Sequence, residues 1–126
     1  MTVEKKVVLV LCDDLIFGSR ISGEARAVGL ETRVVKTVAK LIEISSREKF
    51  SGALIDLGIV GDCLQMVITE LRSSQHPLLP CMGYGSHVDV ELLRKARSEG
   101  YDPVLPRSKF VVELNAILLS YLNNSC

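Results

Sequence analysis

Short apolar runs alternate along this chain with longer segments of helical periodicity, and that alternation constrains the fold more than any other feature. The runs that predict strands are residues 6–11, 32–35, 53–56, 80–84 and 103–105. Apolar residues recur at helical spacing within residues 17–28, 38–49, 64–73, 90–98 and 111–122. Five such βα units predict an α/β doubly wound parallel sheet with five helices on its two faces, joined by right-handed crossovers. The expected strand order is the flavodoxin-like 2-1-3-4-5.

The composition narrows the classes of partner. The chain has 126 residues, of which 48% are hydrophobic, and its 15 basic residues balance its 15 acidic ones. This size and balance predict one domain over residues 1–126, with neither nucleic acid nor a membrane as a partner. Lysines precede only a short apolar run at the N-terminus, so we expect no signal peptide, no membrane span and a cytoplasmic location.

The four cysteines, Cys12, Cys63, Cys81 and Cys126, lack the paired spacing of a zinc site. Three of them lie in or beside apolar runs. We therefore expect buried free thiols in a reducing compartment.

Acidic residues follow two of the predicted strands. Asp13 and Asp14 come directly after the first apolar run, and the third run closes on Asp56. An open α/β sheet places its site beyond the carboxyl ends of its strands, here where the first and third strands are neighbours. Carboxylates held together repel each other unless a cation binds or their pKa values rise. Each of these acids is also suited to capping a helix or turn.

Four stretches occur in an order and spacing that is more specific than any one of them. They are VLVLCDDLIF at 8–17, ALIDLG at 53–58, PCMGYGS at 80–86 and GYDPVLPRSKF at 100–110. Together they resemble the receiver domain of two-component response regulators over nearly the whole chain. The resemblance implies a signalling protein, not an enzyme, whose Asp56 accepts phosphate from a sensor histidine kinase. It further implies Mg²⁺, held weakly by Asp13, Asp56 and the Gly58 carbonyl.

Several positions depart from the pattern of the family. Gly85 stands where the family has a Thr or Ser hydroxyl that contacts the phosphoryl group, and Ser86 comes one residue later. Arg107 before Ser108 replaces a Lys before a Pro, and a planar guanidinium is no equivalent of a compact ammonium group. Val104 replaces the aromatic residue of the last strand that rotates on activation, and the first acidic position of the family holds a cysteine.

These departures leave three functions open. One is a stand-alone receiver-like domain in phosphorelay signalling, weakly phosphorylated on Asp56. Another is a pseudo-receiver that binds its partner constitutively, with Arg107 paired to Asp56 or Asp13. Both functions would use the fourth helix, fifth strand and fifth helix as the surface for a partner or a homodimer. The third is an aspartate-nucleophile phosphatase, which needs an acid two residues after its nucleophile, where this chain has Gly58.

A flavodoxin-like flavin or nucleotide site is disfavoured. Such a site needs a phosphate-binding loop after the first strand, and here that loop is acidic and would repel an anion.

Overall fold

Five parallel strands form one sheet in the computed structural model, which describes residues 5–123. The strands are β1 (Val7–Leu11), β2 (Glu31–Val35), β3 (Gly52–Asp56), β4 (Cys81–Gly85) and β5 (Val104–Pro106). Their order is β2-β1-β3-β4-β5, and each neighbouring pair is parallel. The predicted α/β architecture and strand order are therefore confirmed.

Five helices connect and cover the strands. They are α1 (Leu15–Ala27), α2 (Val38–Ser45), α3 (Leu64–Ser74), α4 (Val90–Ser98) and α5 (Arg107–Leu122). A one-turn helix, Leu57–Val60, and a 3-10 turn, Gly61–Cys63, lead from β3 into α3. Because successive strand side chains point to opposite faces, Val8 of β1 packs with α1 and α5, whereas Leu9 packs with α2, α3 and α4. Each face of the sheet thus has its own hydrophobic core.

Two helix starts differ from the predicted ones for local reasons. Helix α1 begins at Leu15, two residues early, because the side chain of Asp14 accepts a hydrogen bond from the Phe17 backbone N–H and caps the helix. Helix α5 begins directly after β5, at Arg107 and not at position 111, since Pro106 serves as its N-cap. Both changes place the helix start at the carboxyl edge of the sheet, beside the acidic residues.

The three cysteines within residues 5–123 are free, and one of them corrects the prediction. Cys12 and Cys81 are buried as predicted, and burial raises the pKa of the Cys81 thiol to about 12. Cys63 is exposed because it lies on the surface 3-10 turn before α3. Cys126 lies outside the described residues.

Within residues 5–123, none of the helices combines the length and apolarity that crossing a bilayer requires.

Candidate functional site

The acidic residues meet at the carboxyl edge of the sheet. Asp56 is the last residue of β3, and its neighbour Ile55 is in register with Leu11 at the end of β1. Asp13 follows β1 by two residues; burial is the main cause of the raised pKa of Asp56, and the negative charge of Asp13 adds to it. The adjacent parallel strands therefore place both acids at one edge of the sheet, the edge where a site is expected in this type of fold.

An open cleft of about 650 Å³ lies over Asp56. The predicted site residues that line this cleft are Asp56, Gly58, Gly85, Ser86 and Arg107. Asp13 is not part of the lining, and His87 joins it from the loop after β4. The segments that follow β4 and β5 thus lie around the carboxylate of Asp56.

Burial dominates the electrostatics of Asp56, which is only 7% exposed. Its Oδ1 accepts a hydrogen bond from the Gly58 backbone N–H at 3.0 Å, and its Oδ2 lies 3.6 Å from Nη2 of Arg107. Desolvation raises the pKa of Asp56 above its ordinary value of 3.8, and the Gly58 N–H and the Arg107 charge offset this only in part. The folded protein therefore holds the charged form of Asp56 at a cost in stability.

Asp56→Asn should increase the free energy of unfolding at pH 7. Since the pKa of Asp56 is raised in the folded state, the favourable contribution of its protonated form is complete at low pH and is lost as the pH rises through the raised pKa. The difference between Asn and Asp should thus grow from acidic to neutral pH in urea titrations. The exposed Asp62→Asn is the matched control and should change little at any pH. A destabilised Asp56→Asn protein at pH 7 would contradict this account.

Arg107 joins two acidic residues across the site. Its guanidinium lies 3.6 Å from Asp56 and 3.9 Å from Oδ2 of Asp14. The predicted pairing with Asp56 is confirmed, but the alternative pairing with Asp13 is wrong, because Asp14 is the second partner. The reason is the helix cap: Oδ1 of Asp14 is held by the Phe17 N–H at 2.9 Å, and its other oxygen pairs with Arg107.

Aromatic residues that the sequence analysis did not assign to the site lie under Arg107. Its guanidinium carbon is 4.7 Å from the centre of the Phe17 ring and 5.8 Å from that of Tyr84. The Tyr84 ring in turn stacks on Phe110 with centres 4.4 Å apart. The available signal was the spacing: Tyr84 directly precedes Gly85, and Phe110 lies one helical turn after Arg107.

The β4 side of the cleft offers no side-chain hydroxyl at the strand end. Gly85 is buried there, and a Cβ atom at this position would come within 3.3 Å of Cδ2 of Leu93 in α4. The hydroxyl of Ser86 accepts a hydrogen bond from the Val88 N–H at 3.4 Å, so it serves the loop after β4. Arg107 is consequently the positive group that this pocket presents to Asp56.

The oxygen donors at the site match the chemistry of a weakly bound Mg²⁺. This ion binds proteins through one or two carboxylates and keeps several of its waters, and Asp13 and Asp56 are such a pair. No group of three or more acidic, histidine or cysteine side chains suited to a metal occurs within residues 5–123. A pair of carboxylates is nevertheless chemically suited to Mg²⁺, and the Arg107 guanidinium, 3.6 Å from Oδ2 of Asp56, is a competing positive charge.

Comparison with known proteins identifies the class of fold. No protein-family model and no curated protein sequence matches this chain. The structure does match a response regulator from Hahella chejuensis with a TM-score of 0.82, at 19% identity over 97% of this chain and 99% of that one. It also matches the receiver domain of the sensor histidine kinase PA1611 from Pseudomonas aeruginosa, a structure with a magnesium ion coordinated in its active-site cleft. That match has a TM-score of 0.78 and 15% identity over 94% of this chain and 98% of that one.

A third similar structure is a response regulator from Burkholderia pseudomallei with a phosphorylated aspartic acid and a calcium ion. Its TM-score is 0.72 at 18% identity, over 92% of this chain and 70% of that one. The fold is that of response regulator receiver domains, as the sequence resemblance implied.

Proposed function

We propose that this protein is a receiver-like signalling domain in a phosphorelay, with Asp56 as a slowly and incompletely modified phosphoacceptor. The observation that carries the proposal is the buried carboxylate of Asp56 at the end of β3, which lines an open cleft and faces the Arg107 guanidinium. The magnesium ion and the phosphorylated aspartate in two structures of the same fold support this assignment.

The two carboxylate oxygens of Asp56 have different partners, and we assign them different roles. Oδ1 is held by the Gly58 N–H, so Oδ2 is the oxygen oriented for attack on the phosphorus of a partner's phosphohistidine. The P–N bond breaks as the new P–O bond forms, and Arg107 offsets negative charge on the transferring group. Asp13, Asp56 and the Gly58 carbonyl would hold Mg²⁺, which when bound neutralises further charge on the phosphoryl oxygens.

Acetyl phosphate labelling with Mg²⁺, read by intact mass, tests this function. We expect slow, sub-stoichiometric addition of one phosphoryl group to the wild-type protein and none to Asp56→Ala. The reason is the missing hydroxyl at Gly85 and the prior pairing of Arg107. Equal labelling of both proteins would contradict the assignment of Asp56, and fast, complete labelling of the wild type would contradict the predicted slowness.

The second candidate is a pseudo-receiver that binds its partner without phosphorylation. The specific observation in its favour is that Arg107 already connects Asp56 with Asp14, so that one arrangement of the pocket is held without phosphate. Failure to label even the wild-type protein would favour this function. The phosphatase alternative is the weakest, because the position of its general acid is Gly58, whose backbone N–H is bonded to Asp56.

The face formed by α4, β5 and α5 is our proposed surface for a histidine kinase, another signalling protein or a second copy of this chain.

Arg94 and Arg97 of α4 carry charge at this face, but they are not equivalent. Arg97 donates a hydrogen bond to the Val104 carbonyl at 3.0 Å, so its replacement would also disturb the fold. Arg94 is exposed and pairs only with the neighbouring Glu91 at 2.6 Å among described residues. Arg94 is therefore the cleaner probe.

Arg94→Glu should weaken self-association in sedimentation experiments at high protein concentration, because it reverses an exposed charge on the proposed face. Lys40→Glu is the matched control, since Lys40 forms the same kind of exposed pair with Glu43 on α2. Weakening by Lys40→Glu but not by Arg94→Glu would move the interface to α2. A wild-type protein that is monomeric throughout would exclude the homodimer.

The extent of the domain, residues 1–126, and a cytoplasmic location stay predictions from the sequence.

A further inference from the structure

The guanidinium of Arg107 rests on the rings of Phe17 and Tyr84, and Phe110 supports Tyr84 from behind; we call these three rings the aromatic seat. Phe17 supplies the closest face, at 4.7 Å, and Tyr84 the second, at 5.8 Å. The Phe17 and Tyr84 rings meet edge to face with centres 5.5 Å apart, and Phe110 stacks under Tyr84 with an angle of 4° between planes. A cation within about 6 Å of a ring centre is attracted by the ring's negative face.

The seat is built from parts of the fold that cannot easily move. Tyr84 and Phe110 are fully buried in the core between the sheet, α1 and α5. Phe17 lies in the first turn of α1, where its backbone N–H donates to Oδ1 of Asp14. The same Asp14 carboxylate pairs with Arg107 through its other oxygen. Two rings below it and two carboxylates beside it thus surround the guanidinium, although the Arg107 side chain is 46% exposed.

We propose that Phe17 and Tyr84 are positioning residues that hold Arg107 as a built-in cation against Asp56, so that Mg²⁺ binds only in competition with it. This inference rests on the proposed function for the metal ligands Asp13 and Asp56. A bound divalent cation would place two positive charges next to the guanidinium, whose nearest nitrogen is 3.6 Å from Oδ2 of Asp56. The two cations would repel each other, so Mg²⁺ binds more tightly when Arg107 can move away. Because the aromatic seat resists that movement, it lowers the affinity for the metal.

The seat also accounts for arginine at this position. A guanidinium is planar and stacks on aromatic faces, whereas an ammonium group is compact and strongly hydrated. Arg107 begins α5 directly after Pro106, and its extended side chain spans from that helix start to Phe17 on α1. A lysine here would keep the charge but lose the stacking, and would be freer to leave Asp56.

Titration of the full chain with Mg²⁺ alone, by calorimetry, tests the competition. Phe17→Leu removes the ring but keeps an apolar side chain, and we expect it to tighten Mg²⁺ binding on the order of three- to tenfold. Arg107→Lys should act in the same direction and serves as a second variant should Phe17→Leu fold poorly. Phe50→Leu is the matched control, since Phe50 is a buried phenylalanine of the opposite core, and it should leave the affinity unchanged.

A spectroscopic readout separates positioning from a general packing role. In wild-type protein without metal, ring currents from Phe17 should shift the side-chain NMR resonances of Arg107 upfield. Phe17→Leu should remove that shift, and saturating Mg²⁺ should reduce it in the wild type. Arg107 resonances at unshifted positions in the metal-free wild type would overturn the inference whatever the metal does.

Asp13→Asn distinguishes failure of this inference from failure of the proposed metal site. Binding that is lost in Asp13→Asn but equal in wild type and Phe17→Leu would overturn the competition and leave the metal site intact. Mg²⁺ binding that Asp13→Asn does not change would show that the metal ligands are wrongly assigned. The proposed competition between Mg²⁺ and Arg107 at Asp56 would then also be wrong.

Discussion

Gly85→Thr combined with Arg107→Lys should raise the rate of Asp56 phosphorylation by acetyl phosphate about 10- to 100-fold. A hydrogen bond to a charged acceptor contributes roughly 1.5–3 kcal/mol, and Gly85 provides no side chain to make one. Lysine at position 107 would keep a positive charge at the phosphoryl group without the hold of Phe17 and Asp14 on the guanidinium. Time courses of intact mass at fixed acetyl phosphate and Mg²⁺ measure the effect.

The control for this prediction follows from the packing around Gly85. Any Cβ atom at this position comes within 3.3 Å of Cδ2 of Leu93, so the Leu93 side chain must shift by a few tenths of an ångström to accept it. Gly85→Ala with Arg107→Lys introduces the same Cβ atom and lacks the hydroxyl. Equal rates for the Thr and Ala double variants would show that the hydroxyl is not the missing element. Arg107→Lys alone measures the remaining contribution.

Phe110→Ala should lower the free energy of unfolding by roughly 3–5 kcal/mol, a large part of the stability of a domain of this size. Phe110 is fully buried, and its loss leaves a cavity under the stacked ring of Tyr84. Because α5 packs on the sheet through this residue, little of the cavity should close by relaxation. Urea denaturation followed by far-ultraviolet circular dichroism gives the value directly.

Val112→Ala is the control for Phe110→Ala on the same helix. Val112 is 81% exposed, so removing its methyl groups should change the free energy of unfolding by less than about 0.5 kcal/mol. A loss below about 1 kcal/mol for Phe110→Ala would mean that α5 contributes little to this core.

The conformation of the cleft over Asp56 depends on the residue that supplies its positive charge. In this protein the Arg107 guanidinium lies against two rings and within 4 Å of two carboxylates. Phosphorylation would therefore have little ordering left to produce at this side of the cleft. For that reason we expect a small conformational response to modification, and a partner surface on α4, β5 and α5 that is already formed without it.

The order of the strands and the position of Asp13 and Asp56 at one edge of the sheet could be predicted from the sequence. Both follow from local information: apolar runs of strand length, helical periodicity between them, and the near-universal right-handed crossover. Two acids at the ends of neighbouring parallel strands must then share one edge of the sheet. The positions of Gly85 and Arg107 at the cleft followed in the same way, because each is attached to the end of a strand.

The interactions between these groups could not be predicted, because they depend on side-chain packing between distant parts of the chain. The choice of Asp14 over Asp13 by Arg107 depends on the cap of α1, which fixes the orientation of one carboxylate. The aromatic seat depends on distances between α1, β4 and α5, which come from separate parts of the chain. The raised pKa of Asp56 depends on how deeply the assembled fold buries it. Sequence periodicity assigns residues to the faces and edges of the sheet. Side-chain packing across those edges determines the pKa of Asp56 and the position of the Arg107 guanidinium beside it.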